Sequence, residues 1–335
     1  MNEATFNWAI QTNQVKKTIM MAVLVLASTM VVQAQLKREY SKQSTSSASP
    51  VFSVTASPDI PMTVTFAGEK ISFDRLDMAE RLDRELVSVI YGQTTTELCF
   101  KRANRYFPAL AKILKDQGVP LDFLYLAVTE SSLDYNAYSS AKAAGTWQLL
   151  AGTARDYGLE VSDEVDERFD PEKSTVAACK YFKAAYKKYG HWPTAAASYN
   201  AGVQRLSNEL SKQRVDNSFD LYLVQETSRY VFRIIAYKLV MESPKRYGYR
   251  FSRQNLWQPV DYTTVEVTGA VASWVDWAKA KGITYAQLRE ANPWIRSTKL
   301  TNAGGKTYKV RVPKQSELYR SKRTYTVYNK DWVID

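Results

Sequence analysis

The chain has 335 residues, 45% of them apolar and 13% aromatic, so it is long enough for more than one domain and can fill real cores. Its formal net charge of +11 favours anionic partner surfaces, but the basic residues follow no zinc-finger or RNA-binding pattern, and we predict no nucleic-acid partner. The single histidine, His191, excludes a multi-histidine metal site and leaves no evident Ser-His-Asp set. We therefore predict no metal and no cofactor.

The N-terminus has the features of a secretory signal peptide. Two lysines precede the apolar run 18–27, and small residues stand at the cleavage position that ends with Ala34. We predict that residues 1–34 are removed on export from the cytoplasm, with an uncleaved membrane anchor as the alternative. Residues 41–57 are rich in serine, threonine and alanine and have too few apolar side chains to fold, so residues 35–60 are predicted to be a flexible linker.

Residues 61–250 have the pattern of a mostly α-helical domain. Residues 62–73 alternate like a short strand or an extended lead-in, and the pattern is helical from 74 to about 240. Asp170 followed by Pro171 predicts the start of one of the later helices, because aspartate caps a helix and proline suits its first position.

Glu130 lies near the end of the apolar segment 121–131. Pro120 is predicted to begin a helix there, and apolar residues cover both faces of that helix, which is typical of a buried helix. A carboxyl group in such a place is desolvated, so its pKa rises and it can donate a proton at neutral pH. The alternative is a helix-end glutamate half in water.

Three sequence blocks follow in a fixed order. They run from Glu130 to Leu150, from Ala197 to Gly202 and from Glu226 to Val231. On these blocks the chain resembles the lytic murein transglycosylases, lysozyme-like enzymes that cut peptidoglycan glycan strands, and most of all the membrane-bound type D enzymes. The chain departs from the family pattern at three positions, which bear on substrate fit more than on chemistry: Thr146, Ala151 and Gln225.

The resemblance implies a lysozyme-like helical domain whose partner is the peptidoglycan glycan strand, and a location in the periplasm or cell envelope of a bacterium. In this family one glutamate, here Glu130, protonates the glycosidic oxygen of the β-1,4 bond between N-acetylmuramic acid and N-acetylglucosamine. Its carboxylate then takes the proton of the sugar's own C6 hydroxyl, and the product is a 1,6-anhydro sugar. Two alternatives stay open: a hydrolase in which Asp134, one helical turn past Glu130, activates water, and a non-catalytic cell-wall scaffold.

The same blocks imply the residues that would bind the substrate. Ser139 would bind the N-acetyl group or Glu130, unless it only caps a loop, and Gln148 would contact the sugar. Tyr199 would steady Glu130, and Glu226 would be a second carboxylate of the cleft. The full set of implied substrate-binding residues is Ser139, Gln148, Tyr199, Glu226, Asn200 and Gly145, the last of which also suits a turn.

Residues 260–313 have the pattern of a small βααβ module. Alternation at 262–267 and before Pro313 predicts two strands, and a capping box that starts at Thr284 predicts the second of two short helices. The unit resembles a LysM domain, which grips N-acetylglucosamine in glycan chains, although Thr268-Gly269-Ala270 replaces the usual Gly-Asp-Thr. Glycan binding and a purely structural role both stay open. Three tryptophans could be sugar platforms or core side chains: Trp274, Trp277 and Trp294.

The remaining assignments concern the end of the chain and its cysteines. Residues 314–335 are assigned as a tail. Cys99 and Cys179 would form a disulfide in an exported protein or stay as two buried thiols. Membrane association and oligomeric state stay open.

Overall fold

The computed structural model describes residues 57–334, so the predicted signal peptide and almost all of the predicted linker lie outside the described residues. The described chain is mostly α-helical, as predicted. No helix within it is both long enough and apolar enough to cross a bilayer.

The helical domain begins with a strand pair, β1 (Thr63–Phe66) and β2 (Glu69–Ser72). Its helices are α1 (Leu76–Tyr91), α2 (Gln93–Asp116), α3 (Phe123–Ser131), α4 (Ala151–Asp156), α5 (Pro171–Tyr189), α6 (Trp192–Ala201), α7 (Val203–Gln213) and α8 (Gln225–Glu242). The C-terminal module consists of β3 (Tyr262–Val267), α9 (Trp274–Ala280), α10 (Tyr285–Ala291) and β4 (Tyr308–Pro313).

The alternating segment before the first helix forms an antiparallel hairpin. Thr63 pairs with Ser72 and Phe66 with Glu69. Phe66 has no exposed surface, and its ring lies 5.8 Å from that of Phe123 in α3. The predicted strand is therefore part of the core of the helical domain.

Helix α3 lies at the centre of the helical domain. Phe123 and Leu126 have no exposed surface, and the helix contacts both α2 and α8. It begins at Phe123 and not at Pro120, because the Phe123 amide donates to the Pro120 carbonyl at 3.1 Å and closes a turn before the helix. The predicted start was thus three residues too early, whereas the predicted burial is confirmed.

The end of α3 corrects a second prediction. The helix stops at Ser131, and residues 132–133 both adopt positive φ, 52° and 59°, which turns the chain away from the helix axis. Asp134 therefore does not lie one helical turn past Glu130. Its carboxylate lies 3.3 Å from the guanidinium of Arg102 instead.

Helix α5 begins as predicted. The Asp170 carboxylate accepts hydrogen bonds from the amides of Glu172 and Lys173 at 2.9 and 3.0 Å, and Pro171 occupies the first turn. At the other end Gly190 adopts the left-handed conformation, φ 65°, which suits a glycine C-cap. These caps fix a helix that contacts α2 and α6.

The C-terminal module has the predicted βααβ order. β3 and β4 pair antiparallel, with Tyr262 opposite Pro313. Thr284 and Gln287 form the predicted capping box at α10, each side chain bonding the backbone amide of the other residue. The strand pair and the helix cap of this small unit could therefore be predicted from its sequence.

The tryptophans of the module divide into two groups. Trp274 and Trp294 are buried, with 0% and 1% of their surface exposed, and they belong to one core cluster. Trp277 is half-buried and packs against that cluster. The first two are core side chains and are not available as open sugar platforms.

The module contacts segment 160–172 of the helical domain. The backbone amide of Asp166 donates to the carbonyl of Trp294 at 2.9 Å. The guanidinium of Arg311 in β4 lies 3.2 Å from the carboxylate of Asp170, which also caps α5. The two parts of the chain thus share backbone and ionic contacts.

The C-terminal segment 314–334 also contacts the helical domain. Trp332 is 1% exposed, and its ring lies 5.2 Å from that of Phe100 in α2. The Asn104 carboxamide, also in α2, accepts the amide of Tyr328 at 2.8 Å. The segment assigned as a tail is therefore built into the core.

Cys99 and Cys179 are both buried free thiols. Burial raises the pKa of Cys99 to about 11 and that of Cys179 to about 12, so both stay protonated at neutral pH. Of the two alternatives, the structure has the free thiols.

Replacing Trp332 tests the contribution of the C-terminal segment. Trp332→Ala should lower the free energy of unfolding by about 3 to 5 kcal/mol, because it empties a fully packed aromatic site. Ile334→Ala is the matched control, since Ile334 is 61% exposed, and it should change stability by less than about 0.5 kcal/mol. Urea unfolding of the two variants measures both values, and equal small losses would show that the segment is not part of the core.

Candidate active site

Glu130 occupies the last turn of α3 and is half-buried. The pKa of its carboxyl is raised to about 7, because burial and the charge of Glu226 raise it by more than a hydrogen bond from Tyr230 and the charge of Arg233 lower it. Desolvation is the largest of these causes. A carboxyl with this pKa is partly protonated at neutral pH and can give up or take a proton.

The hydroxyl that contacts Glu130 belongs to Tyr230. This tyrosine lies in α8, a hundred residues further along the chain, and donates to Glu130 Oε1. Burial and the nearby Glu130 carboxylate raise the pKa of Tyr230 well above its usual range, so the phenol keeps its proton. Tyr230 was assigned no role in the site from the sequence, although its place inside the third sequence block was a usable signal.

Tyr199 contacts the loop beside Glu130, which is formed by residues 132–150 between α3 and α4. Its hydroxyl donates to the carbonyl of Trp147 at 2.6 Å, and its ring lies 5.1 Å from that of Phe182. Burial raises the pKa of Tyr199 well above its usual range, and the charge of Glu130 adds to that effect. Tyr199 is therefore close enough for the charge of Glu130 to affect its pKa, but its hydrogen bond holds the loop. The hydroxyl that bonds Glu130 directly is that of Tyr230.

Gly145 has a structural reason to be glycine. Its φ is 78°, and a Cβ at this position would lie 1.9 Å from the carbonyl oxygen of Arg168. No side chain fits there without moving the backbone. The close approach of the Arg168 backbone is therefore enough to explain why a glycine stands at position 145.

Ser139 and Gln148 also brace this loop. Ser139 Oγ accepts the amide of Ala143 at 3.0 Å, which is the loop-capping alternative considered for it. The Gln148 amide group donates to the carbonyls of Ala137 and Gly145 at 3.1 and 2.9 Å. Both side chains are half-buried, so each keeps some surface beside the loop.

Arg168 supports the loop through hydrogen bonds to its backbone. This residue was not identified from the sequence. Its guanidinium donates to the carbonyls of Lys142 and Leu149 at 2.8 and 3.1 Å. Its charge is neutralised by Asp166, at 2.7 Å, and both side chains are buried. A charged pair two residues apart gave no signal that it would lie inside the protein.

Glu226 and Asn200 lie on the helices beside Glu130. Glu226 is exposed in the first turn of α8, four residues before Tyr230, and its charge acts on Glu130. Asn200 is half-buried in the last turn of α6, next to Tyr199. The structure therefore places the Glu226 carboxylate and the Tyr199 phenol near Glu130, whereas Ser139, Gln148 and Gly145 lie on the loop that Tyr199 contacts.

A buried carboxylate forms ion pairs with two arginines of α8. Glu85 in α1 has no exposed surface, and its carboxylate lies 2.5 Å from Arg229 and 3.0 Å from Arg233. The Arg233 charge lowers the pKa of Glu130, so the ion pairs of Glu85 with the arginines of α8 bear on the pKa of the carboxyl at the site. Nothing local in the sequence pairs α1 with α8.

Comparison with known proteins identifies the class of both parts. Residues 109–220 match the family model of the transglycosylase SLT domain, and residues 263–316 match that of the soluble lytic transglycosylase C-terminal LysM-like domain. The chain therefore carries an SLT domain followed by a LysM-like domain. The first match contains Glu130 and all the predicted substrate-binding residues except Glu226.

Two curated relatives are the membrane-bound lytic murein transglycosylases D of Escherichia coli strains K12 and O6:H1. Each is 30% identical over 228 residues, which are 64% of this chain and 47% of the relative. This chain is homologous to that enzyme and spans about half of its length. The crystal structure of the 70 kDa soluble lytic transglycosylase of Escherichia coli is 21% identical, with a TM-score of 0.38, over 47% of this chain and 28% of that chain.

The proton affinity of Glu130 can be measured directly. Heteronuclear NMR of glutamate-labelled protein should show one carboxyl that titrates near pH 7 and is lost in Glu130→Gln. In Tyr230→Phe the pKa should rise by about one pH unit, because the lost hydrogen bond favours the charged form. Tyr199→Phe is the control and should leave it nearly unchanged, whereas a Tyr230→Phe carboxyl that titrates lower contradicts the assigned hydrogen bond.

The close backbone contact at Gly145 can be tested against a second glycine, Gly202, which joins α6 and α7. Gly202→Ala changes a residue with φ 81° and open space around it, and should cost about 1 to 3 kcal/mol. Gly145→Ala adds a steric clash with the Arg168 carbonyl and should cost about 1 to 3 kcal/mol more. Denaturant unfolding measures the difference, and equal losses would mean that the loop moves to accept a methyl group.

Proposed function

We propose that this protein is a peptidoglycan lytic transglycosylase that uses Glu130 as its single acid and base. The observation that carries the proposal is the half-buried Glu130 carboxyl, with a pKa near 7 and a hydrogen bond from Tyr230, inside a domain that matches the SLT family. The substrate would be the glycan strand of peptidoglycan. The relatives' names place them at a membrane and on murein, so the cell envelope is the proposed location.

The proposed reaction needs one carboxyl and no water. Protonated Glu130 gives its proton to the glycosidic oxygen as the bond to C1 of N-acetylmuramic acid breaks, and the N-acetyl group of that sugar stabilises the cation. The Glu130 carboxylate then takes the proton of the C6 hydroxyl as its oxygen bonds to C1. The acid is restored, and the product carries a 1,6-anhydro ring. Tyr230 favours the carboxylate formed midway, since its hydroxyl donates to it.

The supporting residues would act on the substrate from two sides. Ser139 and Gln148 keep half-buried polar groups on the loop beside Glu130, where they would meet the sugar. Glu226 would orient substrate groups from the exposed first turn of α8. Asn200 would contribute from α6, and Tyr199 would hold the loop in place through Trp147.

The contact of Asp134 with Arg102 disfavours the hydrolase alternative. A water-activating carboxylate must face Glu130 across the scissile bond, but the chain turns away after α3 and Asp134 pairs with Arg102 at 3.3 Å. The scaffold alternative is disfavoured by the raised pKa of Glu130, which a binding protein does not need. The LysM-like domain would add glycan affinity through surfaces other than its buried Trp274 and Trp294.

Glu130→Gln tests the proposal. The variant cannot carry a proton, so murein cleavage should fall on the order of 100- to 10,000-fold while the fold is kept. Wild-type products should be lighter than hydrolysed muropeptides by one water molecule and have no reducing end. Mass spectrometry of material released from purified sacculi, before and after borohydride, measures both properties.

Asp134→Asn is the matched control for the same assay. It keeps the shape of a carboxylate, and under the proposed mechanism it should retain most activity, because Asp134 has no chemical step to perform. Reducing-end products together with an inactive Asp134→Asn variant would replace the transglycosylase by a hydrolase. A wild-type protein that binds sacculi but releases nothing would be a scaffold.

A further inference from the structure

A cavity of about 330 Å³ lies between the helical domain and the LysM-like domain, and none of the predicted site residues lines it. This junction cavity has Tyr106 and Leu110 of α2 on one wall, and Pro293 and Leu318 on another. Tyrosine rings and prolines give it stiff, mainly apolar walls. Such walls suit a ligand with small apolar groups.

A second hollow, of about 450 Å³, shares Arg105, Glu317 and Leu318 with the junction cavity. Most of its charged side chains are cations, and we refer to it as the basic hollow. The charged side chains that line it are Lys101, Arg105, Arg320, Arg323 and Glu317. Because the two spaces meet at Arg105, one ligand can place apolar groups in the cavity and anionic groups in the hollow.

Two of these cations have no carboxylate partner. Arg323 lies 2.8 Å from Glu317, and Lys101 lies 2.6 Å from a glutamate of its own helix. Within residues 57–334, no carboxylate oxygen lies within 4.0 Å of the guanidinium of Arg105 or Arg320. Among the described residues, these two charges therefore have no carboxylate partner that an anionic ligand would have to displace.

The contacts of Arg105 hold its guanidinium in place. Its Nε donates to the Gln258 carbonyl at 3.0 Å, and the guanidinium carbon lies 5.3 Å from the centre of the Trp257 ring. A fixed guanidinium loses little entropy when it binds a carboxylate, and its planar fork matches two oxygens at once. The geometry is thus that of a prepared anion contact.

The acidic side chains of the junction cavity already have partners. Glu172 lies 3.2 Å from Arg311, and Glu290 accepts the hydroxyl of Tyr135. They do not neutralise Arg105. The anionic contact of a ligand would therefore be made at the Arg105 end.

We propose that the junction cavity and the basic hollow together bind a short acidic peptide, of the kind that peptidoglycan carries on its sugars. Peptide carboxylates would bind Arg105 and Arg320, and small side chains such as alanine methyl groups would lie against the tyrosine and proline walls. The inference rests on the proposed function, because it assigns the peptide part of the same substrate to a second site. This site would recognise peptide-bearing strands at the junction of the two domains.

Calorimetry with the synthetic tetrapeptide Ala-D-Glu-diaminopimelate-Ala tests the site on the full chain. Arg105→Gln and Arg320→Gln should each weaken binding at least tenfold, and the same peptide with amidated carboxylates should bind the wild type at least tenfold less tightly. Lys112→Gln is the matched control, because Lys112 is an exposed cation on the same helix as Arg105 and should not change affinity. Arg320 is exposed, so its variant keeps the test valid even if Arg105→Gln does not fold.

Three results overturn the proposal: no heat of binding with the wild type, equal binding of charged and amidated peptides, or unchanged affinity in both arginine variants. Sedimentation with anionic phospholipid vesicles that depends on Arg105, without peptide binding, would assign the site to a lipid headgroup instead.

Cleavage of strands stripped of peptides separates this test from the proposed function. Arg105→Gln should cut stripped strands like the wild type, and a wild type that cuts no strand fails as an enzyme while calorimetry still decides the peptide site.

Discussion

The placement of one carboxyl at the end of a buried helix is the constraint on which the rest of this structure depends. Helix α3 has only nine residues, and its apolar side chains face other elements on both sides. Glu130 must therefore lose part of its hydration, which costs free energy whenever it is charged. Tyr230 and Arg233 from α8 offset that cost, and Glu85 in α1 balances Arg233. The long contact between α1 and α8 thus has an electrostatic reason as well as an apolar one.

Local chemistry explains what could be predicted from the sequence. The cap at Asp170, the capping box at Thr284 and the strand that begins at Tyr262 each depend on a few adjacent residues, and all three were found at the expected places. Glu130 could be singled out because its apolar neighbours are close in sequence. The start of α3 was misplaced, because proline favours a helix start and also favours the turn that precedes one.

The parts that could not be predicted depend on long-range contacts. Tyr230 reaches Glu130 across a hundred residues, and Glu85 meets its arginines across more than 140. Arg168 resembles a solvent-exposed charge in sequence, because only the folded chain provides the carbonyls that accept its hydrogen bonds. Asp134 was misjudged since two left-handed residues change the direction of the chain, and neither is a glycine.

Segment 160–172 contacts the site loop on one side and the LysM-like domain on the other. Arg168 binds the carbonyls of the loop, while the amide of neighbouring Asp166 binds the carbonyl of Trp294. A fragment that ends before the LysM-like domain would expose Val165 and leave the Asp166 amide unpaired. Loosening the C-terminal domain would therefore also loosen the support of the loop beside Glu130. In evolutionary terms, a substitution at these contacts in one domain would call for a matching change in the other, because the two domains share backbone and ionic contacts.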